Sequence, residues 1–179
     1  MERLLPDEIE TARLRLRRPH VADASVIFAA YAQDPEVCRY VVWKPHESEL
    51  VTKDFLVWCA SAWETGATFP YVITERHSDS AIGMIVARIQ GTTVDLGYVL
   101  ARAHWGKEFM PEAISKLTQA VIGHPQFFRA QASCCVNNKG SQRALEKAGF
   151  NREGRLERYT VHPNISPEPS PCFMYSKCR

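Results

Sequence analysis

Arg13-Leu14-Arg15-Leu16-Arg17 alternates strictly between cation and leucine, the period of a strand with its leucines turned inward. Asp23–Ala32 and Val51–Trp63 instead carry apolar residues at helical spacing, the first opening beside Asp23 as a cap. Val41-Val42-Trp43-Lys44-Pro45-His46 lies between them as an aromatic connection broken by proline. Strand-like runs follow at Phe69–Thr74, Ala81–Ile89 and Val94–Leu100. Short polar turns and Gly91 separate them, which predicts an antiparallel meander. Phe109, Ala113, Ile114, Leu117, Ala120 and Val121 share one face of a helix that stops at Gly123 and Pro125. A strand at Phe127–Val136 and a short helix from Asn138 to Ala148 come next, with Gly149 placed for a left-handed cap. The tail carries Pro163, Pro167, Pro169 and Pro171 before a final strand at Cys172–Ser176. The pattern predicts a mixed α/β domain: helices early, a meander, then helix, strand, helix and closing strands.

Composition narrows the class without identifying it. The 179 residues suit one domain, 1–179, and neither a repeat nor a Gly/Ser linker divides them. With 45% hydrophobic and 23% charged residues the chain reads as soluble and globular. Twenty-two basic and 20 acidic residues leave a net charge of +2, which argues against a dedicated nucleic-acid binder. The opening MERLLPDEIE lacks the apolar core of a signal peptide, and no apolar run is long enough to cross a bilayer. A cytoplasmic protein without membrane contact is expected. The six cysteines include no C-x-x-C pair, and the adjacent Cys134 and Cys135 point to opposite faces of a strand. They read as reduced, mostly buried thiols, and the six scattered histidines show no zinc spacing, so no metal is expected. Arg13, Arg15 and Arg17 fit either a solvated strand face or a phosphate-binding arm.

Two stretches carry chemistry. From Asp95 to Ala113 the chain reads as a strand, a turn containing Gly106, and an amphipathic helix. A helix start offers unpaired N–H groups and a positive dipole end, which suit a phosphate or pyrophosphate. Pro111 is tolerated only near the first turn, so the helix is expected to begin close to Lys107 or Glu108. Arg102, His104 and Lys107 add positive charge nearby. The second stretch, Val136 to Phe150, has an Asn cap, Ser141 in its first turn and a glycine stop.

Together, in this order and separation, the two stretches resemble the GNAT (Gcn5-related) N-acetyltransferases, within them the RimJ/RimL-like branch. Thr11–Arg17 is similar to the family's opening strand and Ile82-Gly83 to its third. Gly97-Tyr98-Val99-Leu100 with Trp105-Gly106-Lys107 and Glu112-Ala113 is similar to its splayed strand and acetyl-CoA loop. Asn138-x-x-Ser141 followed by Glu146-Lys147-x-Gly149-Phe150 is the most specific match. The resemblance implies a mixed, mostly antiparallel twisted sheet flanked by helices, with splayed central strands. It also implies acetyl transfer from acetyl-CoA to a primary amine, a protein N-terminus or a small molecule, in a ternary complex without an acyl-enzyme.

Carried over by motif, the backbone of Tyr98, Val99 and Leu100 pairs with the pantetheine arm. The amides of Trp105, Gly106, Lys107, Glu108 and Phe109 hold the pyrophosphate. Asn138 bonds the CoA chain, Ser141 lies near the sulfur, and Asp95 stands where relatives often carry a glutamate base. Asp95 equally fits a structural carboxylate. Trp43, Lys44 and His46 fall in the connection that walls the acceptor site in similar enzymes, or form a surface loop anchored by one Trp. The acceptor itself and the choice between monomer and homodimer are not legible. Glu108 replaces a glycine usual in the loop, adding a side chain and a negative charge where a pyrophosphate approaches. It keeps open a second reading, a non-catalytic or weakened CoA-binding module that senses acyl-CoA or binds a partner. His162-Pro163-Asn164-Ile165-Ser166 is similar to a stretch of relatives, whereas Ser170-Pro171 stands where an Arg-Asp pair is common.

Overall fold

The alternating leucines do what their period requires. In the computed structural model, which describes residues 4–179, Leu14 and Leu16 are fully buried on strand β2 (Leu14–Arg17). A short β1 (Glu8–Glu10) precedes it, and the meander follows as β3 (Thr68–Glu75), β4 (Ala81–Gln90) and β5 (Thr93–Leu100), all antiparallel. After β6 (Arg129–Cys135) come β7 (Asn151–Val161) and β8 (Pro169–Cys178), giving an eight-stranded sheet in the order β1-β2-β3-β4-β5-β6-β8-β7. Only β5 and β6 pair in parallel, and the crossover between them is helical, as a parallel connection demands.

That crossover is α4 (Phe109–Gly123), which buries Phe109, Met110, Ala113, Ile114, Leu117, Thr118 and Val121 on one stripe. They pack with Phe69, Tyr71 and Ile73 of β3 and with Leu145 of α5 (Lys139–Lys147). Ile114 and Leu117 are fully enclosed, so truncating either to alanine costs about 2–5 kcal/mol. The opposite side of the sheet holds a second core. There α1 (Ala24–Ile27), α2 (Pro35–Cys38) and α3 (Glu49–Thr65) place Ile27, Val37, Leu56 and Cys59 against Val72 and Met84. Gly66 ends α3 in the left-handed region at φ 70°, and the Trp63 indole donates to the Pro70 carbonyl at 2.7 Å.

Three expectations need correction. The helix expected over Asp23–Ala32 is broken into a 3-10 turn (Val21–Asp23), α1, and a π turn (Phe28–Ala32). Arg17 is neither on a solvated face nor part of a phosphate arm. It is 6% exposed, and its guanidinium bonds both Asp23 carboxylate oxygens, at 2.7 and 3.0 Å, and Asp79 at 2.9 Å. Strand β7 carries almost no buried side chain, so its sequence has no apolar alternation to betray it. It lies at the sheet edge, twice bulged against β8, with Arg158 at φ 46°. The six cysteines are free, and only Cys178 is exposed.

Candidate active site

The site is a gap in the hydrogen-bond ladder. β5 runs to Leu100 and β6 to Cys135, yet they pair only over Thr93–Asp95 with Arg129–Gln131. Beyond Asp95 the two strands diverge, each keeping its outer neighbour, β4 or β8. Unpaired backbone groups along the facing edges need another partner.

Side chains on the two faces of β5 have different surroundings. The β4–β5 register is continuous from Gly83↔Leu100 to Gln90↔Thr93, so alternation along β5 is unbroken. Val94, Leu96, Tyr98 and Leu100 face the core that contains α4, while Val99 packs against the core of α1 and α3. Asp95 therefore shares the α1–α3 face, and Tyr98 projects towards α5. There the Tyr98 hydroxyl meets Ser141 Oγ at 2.7 Å. Burial raises the Tyr98 pKa, only partly offset by Ser141, so the phenol stays protonated. Ser141 also touches Cys134, whose thiol is pushed up to about 11 by burial and is inert as a nucleophile.

Ser141 is placed by its helix start. Asn138 is the N-cap of α5, and its Oδ1 accepts from the Ser141 amide at 3.1 Å. Gly149 adopts φ 83° directly after the C-cap, as expected. Asp95 lies at the point where the strands part. Its Oδ2 is 3.3 Å from Arg88 Nη1 across the β4–β5 ladder, and Gly97 leaves room for that guanidinium: a Cβ there would sit 2.8 Å from it. Burial raises the Asp95 pKa, and Arg88 opposes it through charge and hydrogen bonding. The sequence alone gave no reason to single out Arg88.

Beyond Leu100 the chain passes through a 3-10 turn (Arg102–His104) into α4. The helix starts at Phe109 with Glu108 as N-cap, and Pro111 falls in its first turn. Gly106 and Glu108 both take positive φ, 75° and 62°. Trp105 folds back so that its indole donates to Leu100 O at 2.8 Å. Lys107 is exposed, and the Glu108 side chain turns to α5, where Lys147 Nζ lies 2.6 Å from its Oε1. The acidic side chain at the glycine position is thus paired.

On the α1–α3 side, Trp43 and His46 are half-buried neighbours with ring centroids 5.2 Å apart, and His46 contacts Phe55, which stacks on Trp58. His46 Nδ1 pairs with Thr52 Oγ1 at 2.8 Å, and burial lowers its pKa, so the ring is neutral at pH 7. Lys44 points into solvent. Asn164 Nδ2, in the β7–β8 connection, donates to Cys38 O at 2.6 Å and Trp43 O at 2.8 Å, which ties this loop to the far end of the sheet.

The sheet, parted between two parallel strands with a helix start at the mouth, is that of an acyltransferase family. Residues 13–151 match the family model of the acetyltransferase (GNAT) domain, and the chain belongs to that family. Among curated proteins it is similar to the uncharacterized N-acetyltransferase YoaA of Bacillus subtilis, 29% identical over 96% of this chain and 97% of that one. The uncharacterized N-acetyltransferase p20 of Bacillus licheniformis is 28% identical over 86% and 87%. Solved structures of the same fold include the microcin C7 self-immunity acetyltransferase MccE in complex with acetyl-CoA and AMP (TM-score 0.87, 21% identity, 98% of each chain). Mycobacterium smegmatis RimJ in complex with CoA-disulfide is another (TM-score 0.85, 18% identity, 99% of this chain and 90% of that one). Both likenesses are of fold.

Proposed function

We propose that the protein transfers the acetyl group of acetyl-CoA to a primary amine by direct attack in a ternary complex. The observation that carries the reading is the division of labour across β5. Asp95 stands on the α1–α3 face at the last rung of the β5–β6 ladder, and the Tyr98–Ser141 pair on the other face beyond it, where the ladder is open. Addition of an amine to a thioester and expulsion of the thiolate call for two separate groups, a base for the amine and a donor for the sulfur, and the two faces of β5 offer one each.

In this reading the pantetheine arm lies in the gap and pairs with the backbone of Tyr98, Val99 and Leu100. The amides of Trp105 to Phe109 hold the pyrophosphate at the loop. Asn138, its Oδ1 engaged by the Ser141 amide, retains its side-chain N–H groups for the CoA chain. The attacking amine must be unprotonated, and an α-amine, with pKa near ~8, needs less help than a lysine near ~10.4. Asp95, directly or through a water, takes the proton as the tetrahedral intermediate forms. Its raised pKa makes it a better base than an exposed carboxylate. Backbone N–H groups of the open strand steady the oxyanion. Ser141, held by its 2.7 Å contact with Tyr98, then donates a hydrogen bond to the departing thiolate; both hydroxyls keep their protons, and the thiolate takes its proton from solvent.

Trp43, Lys44 and His46 border the acceptor, a peptide N-terminus or a small amine. A thiol-release assay with acetyl-CoA over a panel of peptides and small amines tests the proposal. CoA release that depends on one acceptor class is expected. Release no faster than hydrolysis with every acceptor would overturn it.

A further inference from the structure

Arg13 reaches residues 94 to 99 positions away, in the loop before α4 and in its first turn. Its Nη1 donates to Lys107 O at 2.9 Å and its Nη2 to Glu108 O at 3.3 Å, while its Nε donates to Glu112 Oε2 at 2.7 Å. The guanidinium also lies over the Phe109 ring, 4.7 Å from its centroid. Glu112 is fixed in turn: its Oε1 accepts from Thr11 Oγ1 at 2.5 Å and from the Arg13 amide at 2.9 Å. Burial pushes the Glu112 carboxyl up, but the Thr11 and Arg13 hydrogen bonds and the Arg13 charge outweigh it and hold the pKa below the ordinary value.

The two carbonyls determine where the amides point. In a trans peptide the N–H lies opposite the C=O. Holding Lys107 O and Glu108 O towards Arg13 therefore turns the N–H groups of Glu108 and Phe109 the other way. Glu108 needs such holding, because a non-glycine residue at φ 62° sits in a region that L side chains disfavour. The Arg13 side chain is half exposed, where an ion pair by itself adds little stability.

We propose that Arg13 is a positioning residue for the cosubstrate: through the Lys107 and Glu108 carbonyls it holds the loop amides in the orientation that receives the CoA pyrophosphate. This rests on the acetyl-CoA reading above. Three separate nitrogens of the planar fork meet the two carbonyls and the carboxylate, a spread that the single nitrogen of a lysine does not span.

Calorimetric titration with acetyl-CoA and with S-acetylpantetheine, which lacks the pyrophosphate, tests the role. Arg13→Ala and Arg13→Lys are each expected to weaken acetyl-CoA binding about 10-fold or more, with S-acetylpantetheine unaffected. In turnover, KM for acetyl-CoA rises while kcat at saturation holds. Arg13→Ala combined with Glu108→Gly regains part of the loss, because glycine enters the left-handed region freely. Circular dichroism checks folding, and Arg13→Lys, which keeps the charge and stem, serves if the alanine variant does not fold. Folded variants that bind acetyl-CoA as the wild type does would overturn this inference alone, as would equal loss of both ligands. A wild type that binds no acetyl-CoA would overturn the cosubstrate reading and this role with it.

Discussion

The carboxylate of Glu108 is paired with Lys147 at 2.6 Å, so the loop proposed to receive the pyrophosphate is joined to the helix that carries Ser141. A negative side chain at this position threatens cosubstrate binding only if it is unpaired. Both partners are half exposed, so the pair contributes under about 1 kcal/mol to folding and acts chiefly on local charge. Lys147→Ala is expected to raise KM for acetyl-CoA by about 3- to 10-fold, the effect of one partly screened charge near a diphosphate. Adding Glu108→Gly to Lys147→Ala should return KM to near the wild-type value. Initial rates at low and high salt check this, because the Lys147→Ala defect should shrink as salt rises.

Ser141 and Tyr98 are expected to act on kcat. Ser141→Ala removes the donor to the thiolate and should lower kcat by about 10- to 100-fold with little change in either KM. Tyr98→Phe keeps the serine and loses only the hydroxyl that holds it, so its kcat should fall less, by about 2- to 10-fold. Steady-state kinetics with both substrates varied decide the point. Equal rises in KM for acetyl-CoA would instead place the pair in cosubstrate binding.

The Asp95 carboxyl responds to Arg88 in a known direction. Burial raises its pKa and Arg88 lowers it, so Arg88→Gln leaves burial unopposed and raises it further. The acidic limb of the kcat/KM profile should therefore move to higher pH in Arg88→Gln. Asp95→Asn should lose that limb and lower kcat by about 100-fold while acetyl-CoA binding persists. A limb that stays in place in both variants would assign it to another group, such as the acceptor amine.

Much of the site was legible because it is built from local chemistry. Gly106, Pro111, Asn138 and Gly149 mark turns and helix ends, and each of these residue types suits the backbone geometry it is found in. The helical face from Phe109 to Val121 announces itself by period alone. What escaped is non-local. Arg13 meets residues 94 to 99 positions away, and Glu108 meets Lys147 39 positions away, partners that no window along the chain connects. Strand β7 escaped for the opposite reason. Exposed at the edge, it has no buried face, so its charged residues carry no period of two.

Arg17 shows how a strand's outward face can be internal. Its neighbour Asp23 is also nearly buried, and Asp23 Oδ2 further accepts the His20 amide at 2.8 Å, which fixes the start of the helical segment on the α1–α3 side. Removing Asp23 leaves the buried Arg17 guanidinium only the exposed Asp79 and two backbone carbonyls as partners, so Asp23→Ala is expected to cost up to about 3–5 kcal/mol. In a chain of this size that corresponds to a fall in Tm of about 6 to 20 °C. Asp79 also contacts Arg17 and Arg15, but its side chain is 71% exposed, so Asp79→Ala should cost under about 1 kcal/mol. Thermal unfolding of the two variants separates them. Similar losses would mean that Asp79 anchors Arg17 as strongly as Asp23 does. A lower Tm in Asp23→Ala with an unchanged KM for acetyl-CoA and a raised KM for the amine would further show that this segment supports the acceptor side, remote from the cosubstrate loop.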